Sequence, residues 1–597
     1  MGKRKDPAGE TALTVDAGGP DGGAPDGGAV MTAATMTAGG ALLARLKALG
    51  VDYIFANSGT DFPPIIEGLA EAAARDLPLP QALTMPHEHA AMGMAHGYYL
   101  ATGRPQAVMG HTNVGLANCA IGALNAAVDQ VPVLLFSGRT PTVEQGRLGA
   151  RTVPIGWGQE MRDQAALVRE AVKWDYELRF PEQVADILDR ALAMAMSQPR
   201  GPVYLSLPRE VLCAPCPTAG LAAPARIAAP REAAHPDDLA AAAEILARAK
   251  RPLIVAQRGA GDAAGFAALG ALAAGWAIPV VQYWALRLAV PGDHPMAAGV
   301  DPAPWIAEAD AILAIDCLAP WWPDIHRPAA DCPVIHLGPD PLFARTPVRN
   351  FRADIALRGE TGETVIALAG AMQRRRKGAA KRIAARRPDT EARCTAARKA
   401  ARKQARAGNG KPMSKEWVGL CLSEAVAGRH ATILSELGAP LAPLDLKTHD
   451  SWYQEPHAGG LGWSFPAAMG IQLADPGRLV VATMGDGSYI FANPVACHQI
   501  AEALALPVLV LILNNAEWGA VRRAVLGLYP HGHAAKANEM PLTALAPTPD
   551  FTQVAKASRA WAKRVDDGAE LPAVLAEAIA HIETKRTLAL VEVRVAP

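Results

Sequence analysis

Apolar positions along the chain fall into two alternating patterns. Ala41–Leu49 carries apolar residues at helical spacing and stops at Gly50, a residue suited to the end of a helix. The apolar run Val51–Ala56 follows and reads as a strand. Helix and strand patterns continue to alternate up to Gly201–Pro208, the expected last strand of a first block over residues 38–212. A second block, 235–370, contains the runs Pro252–Ala256, Ile278–Val281 and Ala311–Asp316. A third, 412–597, contains Leu479–Met484, Val508–Leu513 and Leu588–Val593. Short, unbroken apolar runs between helical stretches are what parallel strands look like when helices cover both faces of the sheet. The expected fold class is therefore α/β, with three doubly wound parallel-sheet domains.

The segments between the blocks read differently. Residues 1–37 are rich in Gly, Ala, Asp and Pro and are expected to form a disordered tail, because they have little apolar surface to bury. Residues 213–234 are rich in Pro and Ala and read as a linker. Residues 374–410 are strongly basic, from Arg374, Arg375 and Arg376 through Arg386 and Arg387 to Arg406, and are expected to be a solvated helical connector.

Bulk composition then excludes several classes of function. Lys and Arg number 58, as do Asp and Glu, so there is no net charge to draw the chain to nucleic acid or an anionic membrane. The most apolar stretch, 503–513, contains Pro507 and is far short of the roughly 20 residues a membrane span needs. Lys3, Arg4 and Lys5 are not followed by an apolar segment, so no secretory signal is read. Eight cysteines are too few for a disulfide scaffold, and Cys213 and Cys216 form a lone CxxC without a second pair. Reduced thiols and a cytoplasmic location are expected.

Candidate chemistry concentrates in the third block. The strand ending at Met484 leads into Gly485-Asp486-Gly487-Ser488, and the strand after it ends in Asn514-Asn515, followed by Ala516-Glu517. In a parallel sheet both loops emerge at the carboxyl ends of strands, where open α/β sheets bind ligands. The glycines let backbone approach a phosphate closely. Asp486 and Asn515 offer hard oxygen donors of the kind Mg²⁺ shares with phosphates.

This pair of loops resembles the fingerprint of the thiamine diphosphate (ThDP) enzyme superfamily that includes acetolactate synthases and benzoylformate decarboxylases. The resemblance implies ThDP and Mg²⁺ as cofactors, with Asp486 and Asn515 as metal ligands through their side chains and Glu517 through its main-chain carbonyl. Gly485, Gly487 and Ser488 would complete the cofactor loop. Gly459-Gly460-Leu461-Gly462 resembles the family segment just upstream, with Leu461 where a bulky apolar residue props the bent cofactor. Pro86-His87-Glu88-His89 resembles the stretch around the family's catalytic glutamate, so Glu88 would face the aminopyrimidine and activate the cofactor. The uncharged run 90–95 after it suits a desolvated carboxyl.

His111 resembles a histidine that faces the reacting centre in benzoylformate decarboxylase-like members. Gln159-Glu160 resembles a Gln-Glu pair of acetolactate synthases, which makes Gln159 a candidate catalytic residue. Asn57-Ser58-Gly59-Thr60 falls on a substrate-side loop of the family. The resemblance also implies a pyrimidine-binding, a central and a diphosphate-binding domain, and a homodimer or homotetramer. Asp316-Cys317-Leu318-Ala319-Pro320-Trp321-Trp322 stands where flavin-binding members carry a different segment, which speaks against FAD. Asn493–His498 could face the substrate or simply begin a helix.

The expected activity is cleavage or formation of a C–C bond next to a carbonyl on a 2-oxo acid. A 2-hydroxyacyl-CoA lyase acting on an acyl-CoA-type substrate and a non-catalytic ThDP-binding protein are the alternatives.

Overall fold

The computed structural model describes residues 35–596. Its backbone forms three parallel sheets flanked by helices. The first sheet runs, across its width, Gln81–Thr84, Tyr53–Ala56, Ala107–Gly110, Leu134–Arg139, Val203–Pro208, Asp175–Glu177. The third runs Trp452–Gln454, Ala431–Glu436, Leu479–Gly485, Leu509–Asn514, Ala589–Arg594, Trp561–Val565. Numbered by their own order along the chain, the strands of both sheets read 2-1-3-4-6-5. The middle sheet has five strands in the order 2-1-3-4-5. In such sheets the strand order reverses between strands 1 and 3, and a crevice opens there at their carboxyl ends.

That crevice receives Asn57–Asp61 and His111 in the first sheet, and Leu437 and Asp486 in the third. The apolar runs are buried as parallel strands require: Leu509–Leu513, Pro252–Ala256 and Ala311–Ile315 are covered throughout.

The first and third domains meet through two helices, Glu88–Thr102 and Ser464–Ala474. Glycines make the contact close. A Cβ at Gly97 would overlap the Ala467 carbonyl, one at Gly93 would press on the Pro466 ring, and one at Gly470 would overlap the Met94 carbonyl. The middle domain joins them through a buried charge network. His96 hydrogen-bonds Asp129 at 2.9 Å, Asp129 pairs with Arg287 at 3.2 Å, and Arg258 donates to Asp316 at 2.6 Å. The neighbouring guanidiniums counter the burial of Asp129 and hold its carboxyl well below the usual range.

Two expectations need correction. Residues 1–34 of the expected tail lie outside the described residues, but Thr35–Thr37 form a strand. It pairs antiparallel with Pro215–Pro217, inside the segment read as a linker, and buries Met36. Three residues with one apolar side chain suffice because the adjoining helix Ala38–Ala48 supplies the surface they cover. The basic segment is indeed one long helix, Arg376–Ala407, but several of its arginines are not solvated. Arg386 donates to the Trp276 and Ala249 carbonyls at 2.6 and 2.8 Å, Arg387 to Ala274 at 2.7 Å, and Arg382 to Ala247 at 3.0 Å. These carbonyls end the helices Pro236–Arg248 and Ala263–Trp276. The last carbonyls of a helix lack partners within it and carry partial negative charge, so guanidiniums cap them.

Candidate active site

Glu88 is the first residue of its helix, with His87 as N-cap. Its carboxylate is buried and held at both oxygens: Asn57 Nδ2 donates to Oε1 at 3.0 Å and Asn118 Nδ2 to Oε2 at 2.9 Å. The two asparagines come from the loop after strand Tyr53–Ala56 and from the helix Thr112–Val128. Three segments distant in sequence therefore fix one carboxylate.

His111 is the N-cap of that same helix. Its Nδ1 is hydrogen-bonded to Asp61 Oδ1, and its Nε2 lies 3.1 Å from Gln159 Nε2. Asp61 is buried, and its other oxygen accepts from the Thr112 backbone N–H at 3.3 Å. Thr112 sits at φ +43°, a region that β-branched residues rarely adopt. A side chain at Gly59 would overlap the His111 ring, and one at Gly138 would overlap the Asp61 carboxylate, so glycines shape both ends of the pair. The hydrogen bond to Asp61 raises the His111 pKa above its ordinary value. Partial burial opposes this, and the charges of Asp61 and Glu88 add to it. The sequence candidates Glu88, His111 and Gln159 thus fall in one cluster. Asp61 was not among them; its signal was a carboxylate directly after the Asn57–Thr60 loop. Glu160 turns away and accepts from Thr140 Oγ1 at 2.7 Å.

The turn Gly459–Gly462 is held between the first and third domains. Asn125 Nδ2 donates to the Gly460 carbonyl at 2.8 Å, His89 Nε2 is 3.1 Å from the Gly462 carbonyl, and Glu436 accepts from the Ser464 N–H at 2.7 Å. Gly459 and Gly462 adopt φ +70° and +86°, which glycine permits. Leu461 is half-buried at the tip of this turn.

Asp486 opens the short helix Asp486–Phe491 and is buried, yet its Oδ2 has no partner. Burial raises its pKa against the pull of the Gly487 and Ala516 N–H groups. The Asn515 carboxamide stands 3.2 Å from Asp486 Oδ1 and 3.0 Å from the Glu517 carbonyl oxygen. With its oxygen turned inward, three oxygens converge on one point, an arrangement that a hard cation reconciles. The set holds one carboxylate, and no group of three or more His, Cys, Asp or Glu suited to a metal exists among the described residues. Gly485 has open space beside it, and Gly487 lies against the Trp518 ring, where a Cβ would collide. Asn514 Nδ2 donates to Glu592 at 2.7 Å, which anchors the Asn-Asn loop to the last strand.

Other candidates are internal. His498 hydrogen-bonds Tyr489 OH at 2.6 Å, and burial pushes its pKa down to about 4. Cys216 donates to the Pro181 carbonyl from the short edge strand. No helix among the described residues is long and apolar enough to cross a membrane.

The chain matches known proteins along most of its length. Family models of thiamine pyrophosphate enzymes match in three parts: the N-terminal TPP binding domain at residues 36–167, the central domain at 239–368 and the C-terminal TPP binding domain at 438–593. A probable 2-ketoarginine decarboxylase of Pseudomonas aeruginosa is 30% identical over 89% of this chain and 90% of its own. A benzoylformate decarboxylase of the same organism is 28% identical over 80% of this chain and 85% of its own. In fold, the chain resembles the thiamine diphosphate-dependent 4-hydroxybenzoylformate decarboxylase of Rhodococcus jostii RHA1, with a TM-score of 0.74 at 23% identity over 94% of this chain and 99% of that one. The chain belongs to the thiamine pyrophosphate enzyme family and is an enzyme of its lyase or transferase branches.

Proposed function

We propose that the protein is a ThDP- and Mg²⁺-dependent decarboxylase that converts a 2-oxo acid to an aldehyde and CO₂. The observation that carries this reading is the chain Asp61–His111–Gln159 beside Glu88.

ThDP supplies, when bound, a nucleophilic carbon and a ring that accepts the electron pair of the broken C–C bond. Glu88 would hold a proton at the aminopyrimidine, with Asn57 and Asn118 fixing its two oxygens. Leu461 would support the cofactor between its rings. Gly459, Gly460, Gly485, Gly487 and Ser488 would offer backbone contacts to it, with open space beside Gly459 and Gly485. Asp486, Asn515 and the Glu517 carbonyl would take Mg²⁺, and the unpartnered Asp486 oxygen supports that assignment.

Forming an aldehyde requires one proton at the carbon that carried the carboxylate. Acetolactate-type carboligation requires that carbon to stay unprotonated until a second carbonyl arrives. A histidine whose pKa is raised by its hydrogen bond to Asp61 suits the first reaction. Gln159 contacts His111, so it works through the same proton donor and does not argue for carboligation by itself.

Self-association belongs to the same reading. Val114, Ile121 and Leu124 lie exposed on the helix that carries Asn118, and Phe491 and Val495 lie exposed beyond the Asp486 loop. Large apolar side chains bordering each half of a site fit a partner subunit that covers them.

The test is product analysis with ThDP and Mg²⁺ on pyruvate, benzoylformate and 2-ketoarginine, with a 2-hydroxyacyl-CoA in parallel. Aldehyde and CO₂ from a 2-oxo acid support the reading. Acetolactate from pyruvate without free aldehyde, or cleavage of the acyl-CoA alone, overturns it.

A further inference from the structure

Lys415 is the first residue of the helix Lys415–Ala425, and its side chain turns inward to the third sheet. Its Nζ donates to the Leu437 carbonyl at 3.3 Å, and among the described residues it makes no ion pair. Leu437 directly follows strand Ala431–Glu436, forms an isolated bridge with Met484 beside the Gly485-Asp486 loop and sits at φ +53°. The ammonium group therefore reaches the crevice between strands 1 and 3 of the sheet, on the side of the cation site.

The charges around it are unbalanced. Burial lowers the Lys415 pKa, the Arg523 charge lowers it further, and Asp486, Glu416 and Glu455 oppose this. Arg523 stands by the other loop: a Cβ at Gly519 would lie 2.8 Å from Asn515 Nδ2 and 3.5 Å from Arg523 Nη1. Of the nearby carboxyls, Asp486 belongs to the cation site. Glu455 is pushed up to about 8 by burial and by Glu436, so it is largely neutral at pH 7. Glu416, the remaining carboxylate near Lys415, forms no ion pair with it among the described residues, so the Lys415 ammonium has no ion-paired carboxylate, and the exposed Arg523 adds a second positive charge beside it. The loop 437–440 beside them reads Leu-Gly-Ala-Pro and has no side chain able to bind a phosphate. The hydroxyls on the strands flanking it are engaged internally: Ser435 Oγ donates to the Ala439 carbonyl and Thr483 Oγ1 accepts from the Ala439 N–H.

We propose that Lys415, assisted by Arg523, binds the diphosphate group of the cofactor opposite the cation site. The proposal rests on the ThDP reading above and adds to it a cationic phosphate clamp. An ammonium that has lost much of its water and lacks a counter-ion gains most from a phosphate oxygen.

The test uses full-length apoenzyme with Mg²⁺, titrated by calorimetry with ThDP, thiamine monophosphate and thiamine. Lys415→Gln is expected to raise the ThDP Kd by about ten- to a hundredfold. It should leave the thiamine Kd and the apoenzyme melting temperature unchanged, and narrow the gap between diphosphate and monophosphate. Lys415→Arg should restore most of the ThDP affinity. Unchanged ThDP affinity in Lys415→Gln overturns the clamp, and so does an equal loss for thiamine and ThDP. Wild-type protein that binds no ThDP overturns the cofactor reading itself, and the clamp with it.

Discussion

An imidazole hydrogen-bonded to a buried carboxylate keeps its proton to higher pH than one in water. His111 is in that position, with Asp61 on one nitrogen and Gln159 on the other. If His111 delivers the proton to product, the active form is the protonated one, and kcat declines as pH rises through the raised pKa. Asp61→Asn removes the cause of the raise, so the alkaline limb of the pH–kcat profile should move to lower pH. His111→Ala should lower kcat by about 10²–10⁴-fold. A profile unmoved in Asp61→Asn would show that the pair does not set the proton donor.

Glu455 gives a second residue-scale test, on stability. Its carboxyl keeps a proton up to about 8 in the fold but releases it near 4.5 when unfolded. The folded state binds the extra proton between those values, so its stability falls as pH rises across that window. Glu455→Gln abolishes this loss. The melting temperature of the variant relative to wild type should climb between pH 5 and pH 8, and a constant difference would contradict the argument.

At the scale of elements, the crossing of helices Glu88–Thr102 and Ser464–Ala474 sets where the first domain sits against the third. Gly97 touches the Ala467 carbonyl backbone, which has no flexible end to move aside. Gly97→Ala favours the helix by propensity, by up to about 1 kcal/mol. It also forces the helices apart, and overpacking of this kind costs about 1–3 kcal/mol. The steric term wins, and a net loss of stability in denaturant unfolding should be seen. A gain would mean that the helices yield.

The same elements show what can be read along the chain. The strands were legible because unbroken apolar runs such as Pro252–Ala256 and Leu509–Leu513 are the signature of sheets covered on both faces. The Gly485-Asp486 and Asn514-Asn515 loops were legible because each follows such a run directly. Asp61 was not, because one carboxylate after a Gly-Thr pair looks like any turn, and its partner His111 is brought near only by the pairing of strands Tyr53–Ala56 and Ala107–Gly110. The capping role of Arg386 was hidden for the same reason. Its carbonyl partners belong to helix ends more than a hundred residues earlier, and composition records only that it is basic. Lys415 and Glu592 have no local motif at all. They act through the ends of strands that only the folded sheet places together.

At the scale of the molecule, the proposed site residues divide between two sheets of the same strand order. The Glu88 cluster belongs to the crevice of the first, and the Asp486 oxygens to the crevice of the third. Each half is bordered by apolar side chains in solvent: Val114 is 51% exposed one turn from Asn118, and Val495 is 63% exposed just beyond the Asp486 helix. Their exposure means that a charge at either position costs the isolated subunit little. A charge buried without a partner in a subunit interface costs several kcal/mol. Val114→Arg and, separately, Val495→Arg should therefore shift the protein toward monomer in sedimentation equilibrium, with little change in monomer melting temperature. If the cofactor is shared between the first domain of one subunit and the third domain of another, both variants should also weaken ThDP binding, in proportion to the loss of association. Restoring association at high protein concentration should then restore affinity. Variants that dissociate yet bind ThDP as wild type does would place both halves of the site within one chain, and variants that stay associated would show that these apolar side chains face solvent in the native protein.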